Sequence, residues 1–206
     1  MRTLLIALTL LLGTATPAAA APVPLEAGTH LSTHSATSRC VNGYNVRGHL
    51  LVPPGCGPVG TVVRGPGGVD VGPVVAVRQT YAVVRITNTA AWVQRPTIVG
   101  HSGVITGAME SPVGGRVCTV GRTIGLRCGT LQAKNVTVHY PTGSVSGLTR
   151  TTLCTEPGEL WSPVFSGSQA QGHVLGGSGN CTTGGSSYYQ PLRAILSAEG
   201  FTLVTG

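Results

Sequence analysis

The sequence is short of charge, of acids in particular, and of phenylalanine. Charged residues are 9% of the 206, with 6 Asp+Glu against 13 Lys+Arg, and only 2 phenylalanines are present. No Cys-x-x-Cys pair occurs, which speaks against zinc. Gly65-Pro66-Gly67-Gly68 lacks the Lys and Ser/Thr of a phosphate loop, and Gly176-Gly177-Ser178-Gly179 ends in Asn180-Cys181, so neither supports nucleotide binding. No metal or cofactor is expected. Basic clusters interleaved with aromatics are also missing. The formal net charge of +7 is scattered over single arginines and reads as a solvated, mildly basic surface, not as a nucleic-acid interface. No heptad or apolar stripe is visible, so a monomer is expected.

No apolar run is long enough to cross a bilayer, which takes roughly 20 residues. The run Leu4 to Leu12 follows Met1-Arg2 and precedes Pro17-Ala18-Ala19-Ala20-Ala21. A positive start, a short apolar core and a small-residue site predict a secretory signal peptide over residues 1–21, cut near Ala20 or Ala21. The mature chain is expected outside the cell, with no membrane association after cleavage.

What is abundant is glycine, 31 residues, together with 14 prolines. Gly and Pro punctuate the chain roughly every 8–12 residues, the spacing of an all-β barrel or sandwich. Val74-Val75-Ala76-Val77 and Val83-Val84-Arg85-Ile86 read as strands. Residues 22–206 form one domain, opening on a lead-in over 22–39 that holds His30 and His34. One helix is expected at Pro191–Gly200, opened by proline and closed by glycine, with Leu192, Ile195 and Leu196 on one face. A last strand, Phe201 to Val204, follows it. Asn135-Val136-Thr137 and Asn180-Cys181-Thr182 match the glycosylation sequon and read as chance matches. Six cysteines behind a signal peptide imply three disulfides, with the connectivity left open by spacing alone.

The densest motif is Cys154-Thr155-Glu156-Pro157-Gly158-Glu159-Leu160-Trp161-Ser162-Pro163. Upstream of it stand Val117-Cys118-Thr119-Val120-Gly121-Arg122-Thr123-Ile124-Gly125-Leu126-Arg127-Cys128-Gly129 and Val145-Ser146-Gly147-Leu148-Thr149-Arg150-Thr151-Thr152-Leu153. Gly176 to Cys181, Tyr189-Gln190-Pro191 and Arg39 to Val46 complete the set. Together these blocks resemble the secreted bacterial chymotrypsin-like serine proteases of the streptogrisin and alpha-lytic protease type. The resemblance implies an all-β, trypsin-like fold: two six-stranded antiparallel β-barrels packed face to face, a short C-terminal helix and an active-site cleft between the barrels. It also implies the pairs Cys40–Cys56, Cys118–Cys128 and Cys154–Cys181, each contributing roughly 2–4 kcal/mol.

Carried over residue by residue, the resemblance puts Gly55 where the family has its general-base histidine, just before Cys56. It puts Thr80 where the family has the orienting aspartate, and Leu160 where it has the nucleophilic serine. Leucine has no proton to give up and no lone pair to attack with. Gly158 keeps the glycine whose N–H serves the oxyanion hole. Glu159 replaces an aspartate whose arginine partner is Thr119 here. Trp161 and Ser162 replace two glycines, and the tryptophan is expected to reshape the loop or fill the cleft. Leu175 replaces the serine bordering the substrate groove, while Gly176 and Gly177, which pair with a peptide backbone, are kept.

Substitutes for these residues are weak in the sequence. His49 lies at a hairpin tip, Asp70 in a turn, and Ser162 off the loop apex. His173 lies near the groove and reads as a wall residue. The resembling proteases usually carry a sizeable pro-segment, whereas few residues stand between this leader and the domain. The expectation is a secreted, catalytically inactive homologue that binds a peptide or protein ligand in the former cleft. The alternative is a residual or repurposed serine endopeptidase.

Overall fold

The computed structural model describes residues 20–34, 40–141, 143–156 and 158–206. The expected signal peptide lies outside these residues except for Ala20 and Ala21, which are exposed. The first half contributes β1 (Val23–Ala27), β2 (His30–Leu31), β3 (Cys40–Val41), β4 (Tyr44–Val46), β5 (His49–Val52), β6 (Val62–Arg64), β7 (Asp70–Val77), β8 (Ala82–Arg85), β9 (Trp92–Ile98) and β10 (His101–Val104). The second contributes β11 (Arg116–Gly121), β12 (Gly125–Tyr140), β13 (Gly143–Thr151), β14 (Pro163–Ser166), β15 (Gln169–Asn180), β16 (Gly184–Pro191) and the helix α1 (Leu192–Glu199).

The second half closes as a six-stranded barrel in the order β11-β12-β13-β16-β15-β14, every neighbouring pair antiparallel. Its interior is filled by Val117, Leu131, Leu153, Val164, Val174 and Tyr189. The first half departs from the expected second closed barrel. It is a five-stranded sheet, β4-β5-β8-β7-β6, flanked by a three-stranded sheet, β1-β9-β10, and a two-stranded one, β2-β3. The pairing of β1 with β9 is parallel, with Val23 opposite Trp92. Parallel strands need a long crossover, and this one takes in most of the first half.

Period-two alternation sorts the side chains of β5. Leu50 and Val52 point into the first half, against Leu25, Val63, Val74 and Trp92. Leu51 points the other way, into a cluster holding Tyr44, Val83, Trp161, Phe165 and Ile195. That cluster draws on both halves and forms the seam between them. Three disulfides are formed: Cys40–Cys56, Cys118–Cys128 and Cys154–Cys181.

Helix α1 starts after Pro191, which caps it in an extended conformation, and ends at Gly200 in the left-handed region at φ 66°. Leu192 and Ile195 are buried while Leu196 is only partly so. The expected strand over 201–204 reduces to a single bridge from Leu203 to Val46. Phe201 turns aside to stack on His49, ring centroids 5.4 Å apart.

Candidate functional site

A cleft opens between the halves at the loop 154–163. The Cys154–Cys181 bond and a hydrogen bond from the Cys181 amide to Glu156 Oε1 (2.8 Å) tie the loop's base to the β15–β16 hairpin. Glu159 ties down its head. The carboxylate, 5% exposed, accepts from the amides of Arg122 (2.9 Å) and Thr123 (2.8 Å) and from the Thr123 hydroxyl. Burial raises its pKa, but the Thr123 hydroxyl, the two amides and the Arg122 charge together outweigh burial and hold it below the ordinary value. The longer carboxylate therefore anchors to the β11–β12 turn rather than to position 119. Thr119 spends its own hydroxyl on the Pro163 carbonyl, at 2.9 Å. We expect Glu159→Gln to cost about 1–3 kcal/mol, because an amide NH₂ would face backbone donors left unpaired. A urea titration of the variant beside the natural protein reads this directly.

Trp161 holds φ at 73°, a left-handed conformation that non-glycine residues rarely adopt. The turn sends its indole inward, where only 6% remains exposed. It stacks on the His173 ring with centroids 3.7 Å apart and planes 16° from parallel. A Cβ added to Gly43 would lie 3.4 Å from the indole and 3.5 Å from His173 Nδ1, so the first half presses its backbone against this stack.

His173 is the residue whose surroundings differ most from a groove wall. It is fully buried, and neither ring nitrogen has a hydrogen-bond partner among the described residues. Burial pushes its pKa down to about 3, against a smaller upward pull from the Thr80 backbone. Thr80 thus lies near the His173 ring, in the turn before β8. That turn is fixed to α1 through Glu199: Arg78 Nε reaches Oε1 at 2.9 Å and the Tyr81 hydroxyl donates to Oε1 at 2.7 Å. Burial, then the bond to Glu199, push the Tyr81 pKa up to about 12.

The other expected site residues divide between the cleft and elsewhere. Gly55 sits in a short 3-10 turn, Pro54–Cys56, and faces a cavity of about 830 Å³ that Leu31, Val41, Pro53, Leu160 and Trp161 also line. Leu160 is 48% exposed, and Gly158, at φ 98°, lines the same cavity. A second cavity of about 350 Å³ adjoins it and shares Val41, Gly158, Leu160, His30 and Arg122. The cleft is open, with Trp161 as part of its wall. Leu175, Gly176 and Gly177 lie on β15, where Gly176 pairs with Tyr188 and Gly177 with Ser187 of β16. On the opposite side, β14 and the Trp161 and Ser162 backbone accompany β15 only as far as Val174.

His49, Asp70 and Ser162 are placed for other work. His49 Nδ1 lies 3.2 Å from the Arg47 carbonyl. Asp70 pairs with Arg64 at 2.8 Å. The Ser162 hydroxyl donates to the Glu159 carbonyl at 2.8 Å and is 8% exposed. Among the described residues no group of three His, Cys, Asp or Glu side chains is gathered to hold a metal.

A closed antiparallel barrel, a second β-lobe across a cleft and a disulfide-anchored loop carrying Glu156 and Gly158 at its mouth define a chymotrypsin-like serine protease fold. The chain belongs to the streptogrisin-like family of these S1 serine proteases. It is 40% identical to Streptogrisin-C of Streptomyces griseus over 178 residues, 83% of this chain and 37% of that protein. It is 35% identical to Glutamyl endopeptidase 2 of the same organism over 140 residues, 64% of this chain and 74% of that protein. The solved structure of Cellulomonas bogoriensis chymotrypsin superposes with a TM-score of 0.78 at 35% identity, covering 89% of this chain and all of that one. The chain spans about two fifths of the length of Streptogrisin-C. No family model matches it.

Proposed function

We propose that this protein is a secreted, catalytically inactive member of the family that binds peptide in the former substrate cleft, with Gly55, Thr80 and Leu160 at the triad positions. The observation that carries the reading is the pairing of Leu160 with Gly55 across one open cavity, with no imidazole bonded to a serine there among the described residues. Ser162, the neighbouring hydroxyl, already gives its proton to a carbonyl. His173 is neutral, sealed and without a serine partner. Gly55 leaves open space, since an added Cβ would meet nothing within 4 Å.

Peptide binding rests on the edge of β15 beyond Val174. A bound strand can add there by backbone hydrogen bonds without being cut. Export rests on the leader and on three disulfides, which persist in oxidising compartments. The ligand is a peptide or an extended segment of a protein, bound by a monomer.

The alternative, a residual or repurposed serine endopeptidase, finds a single imidazole–hydroxyl pair among the described residues. His139 Nδ1 lies 2.7 Å from Ser144 Oγ, but both stand exposed on the β12–β13 hairpin and line neither cavity of the cleft. The test is fluorophosphonate labelling and peptide hydrolysis by the disulfide-intact protein. We expect no labelled serine and turnover roughly a millionfold below that of an intact triad. A label mapped to Ser162 or Ser144 would overturn the reading.

A further inference from the structure

The two cavities beside Leu160 are lined mainly by aliphatic residues, with Arg122 and His30 bordering both. The smaller is bordered by Val99, Leu126 and Leu160, which are 43%, 50% and 48% exposed. Such a concentration of exposed aliphatic surface in a concave site marks a place where something apolar binds. Arg122 lines both cavities, and its guanidinium has no ion pair or hydrogen bond among the described residues. His30 lines both as well and is exposed.

The Glu159 carboxylate feels the Arg122 charge from nearby, but the two make no direct ion pair among the described residues. Glu159 also lines the smaller cavity, but its oxygens are taken by the amides of Arg122 and Thr123 and by the Thr123 hydroxyl. No other Asp or Glu lines either cavity. The same bonds fix the Arg122 backbone against the loop that carries Leu160. A cation is thus held where the two cavities meet, its guanidinium donors unbonded among the described residues and open to a ligand.

Strand direction says which end of a peptide arrives there. Every pairing in the barrel is antiparallel, so a peptide added along Leu175–Gly177 in the same manner runs opposite to β15. Its N-terminal part lies beside Gly177 and its C-terminal part passes Leu175 toward Val174, Leu160 and the two cavities. We propose that the cleft recognises the free C-terminal end of a peptide, its last residue apolar and seated beside Leu160, Val99 and Leu126, its α-carboxylate held by Arg122 with His30 at the rim. The proposal rests on the peptide-binding reading above and adds to it the chemistry of the ligand. Arginine suits the task, because its planar fork matches a carboxylate with two parallel hydrogen bonds.

The experiment is fluorescence polarisation of the disulfide-intact protein with fluorescein-labelled Ala-Ala-Ala-X peptides. X is Leu, Val or Phe, and each peptide is made as the free acid and as the C-terminal amide. We expect the free acids to bind at least about tenfold more tightly than the amides, a difference of about 1.4 kcal/mol. Arg122→Gln should erase that difference and Arg122→Lys should keep part of it. The Arg122 side chain makes no hydrogen bond among the described residues, so both variants are expected to fold, which their urea midpoints check. Equal binding of acid and amide, or an acid preference that survives Arg122→Gln, overturns this inference while leaving peptide binding in place. Absence of binding by both forms overturns the peptide-binding reading and this inference with it. Saturable binding of decanoate with no binding of either peptide form would assign the cavities to free fatty acids and overturn it as well.

Discussion

Acidification from pH 7 to pH 3 should cost the natural protein on the order of 5 kcal/mol through His173 alone. Its folded pKa is about 3 against an ordinary value near 6.5. Above the upper value the imidazole is neutral in both states and contributes nothing. Between the two values only the unfolded chain takes up the proton, so stability falls as pH falls, by up to about 1.4 kcal/mol per pH unit. Burial is the main cause and outweighs the smaller pull of the Thr80 backbone, and neither ring nitrogen has a hydrogen-bond partner among the described residues. Replacing His173 by Phe keeps a ring against Trp161 and removes the titration. Urea midpoints of the two proteins between pH 7 and pH 3 should diverge steadily below pH 6.5. Glu159, with its depressed pKa, adds a loss of its own at the acid end, but that loss is common to both proteins and cancels in the comparison. Parallel pH profiles would show that His173 reaches solvent or a partner.

Trp161→Ala should cost about 3–5 kcal/mol, the range for emptying a buried aromatic site. The indole is 6% exposed, stacks on His173 and touches the seam from the second half. Its removal leaves a cavity against Gly43 and strips one face of an imidazole that has no hydrogen bonds to fall back on. Trp161→Gly offers an internal check. Glycine adopts φ 73° without the penalty of roughly 1–2 kcal/mol that a side chain meets there. The glycine variant should therefore be the more stable of the two, despite losing one more carbon. If both variants unfold within about 1 kcal/mol of the natural protein, the indole is not part of the packing.

Much of the fold was legible in the residues. Turn spacing gave an all-β chain, and the proline and glycine at 191 and 200 bracketed the one α-helix among the described residues to within a residue. The first half was less legible for a physical reason. The partner of β1 is β9, nearly seventy positions away by the register of Val23 with Trp92, and a parallel pairing leaves no hairpin signal in the sequence. The last strand failed because alternation in Phe201–Val204 says nothing about whether a neighbouring edge is available. Its one bridge is to Val46, through the Arg47 amide to the Thr202 carbonyl and the Val204 amide to the Asn45 carbonyl.

The candidate site divides the same way. Gly55, Gly158 and Leu160 were read in order along the chain and meet at one cavity. The partners of Glu159 were sought at a single position, 119, and found in the backbone of a turn. Backbone donors carry no residue type, so no motif announces them. Arg122 escaped notice for a related reason. Nothing in the string marks one arginine among scattered others as lining a cleft. His173 was read beside the groove, and the bulk that seals it comes from Trp161, a residue twelve positions earlier.

The seam has a consequence for how the molecule comes apart. Leu51 and Val83 come from one half, Trp161, Phe165 and Ile195 from the other, and they share a single cluster. Neither lobe can shed its share without exposing its neighbour's. The two lobes are therefore one cooperative unit with a common melting transition, and the cleft between them is a furrow in a single body, not a hinge between two.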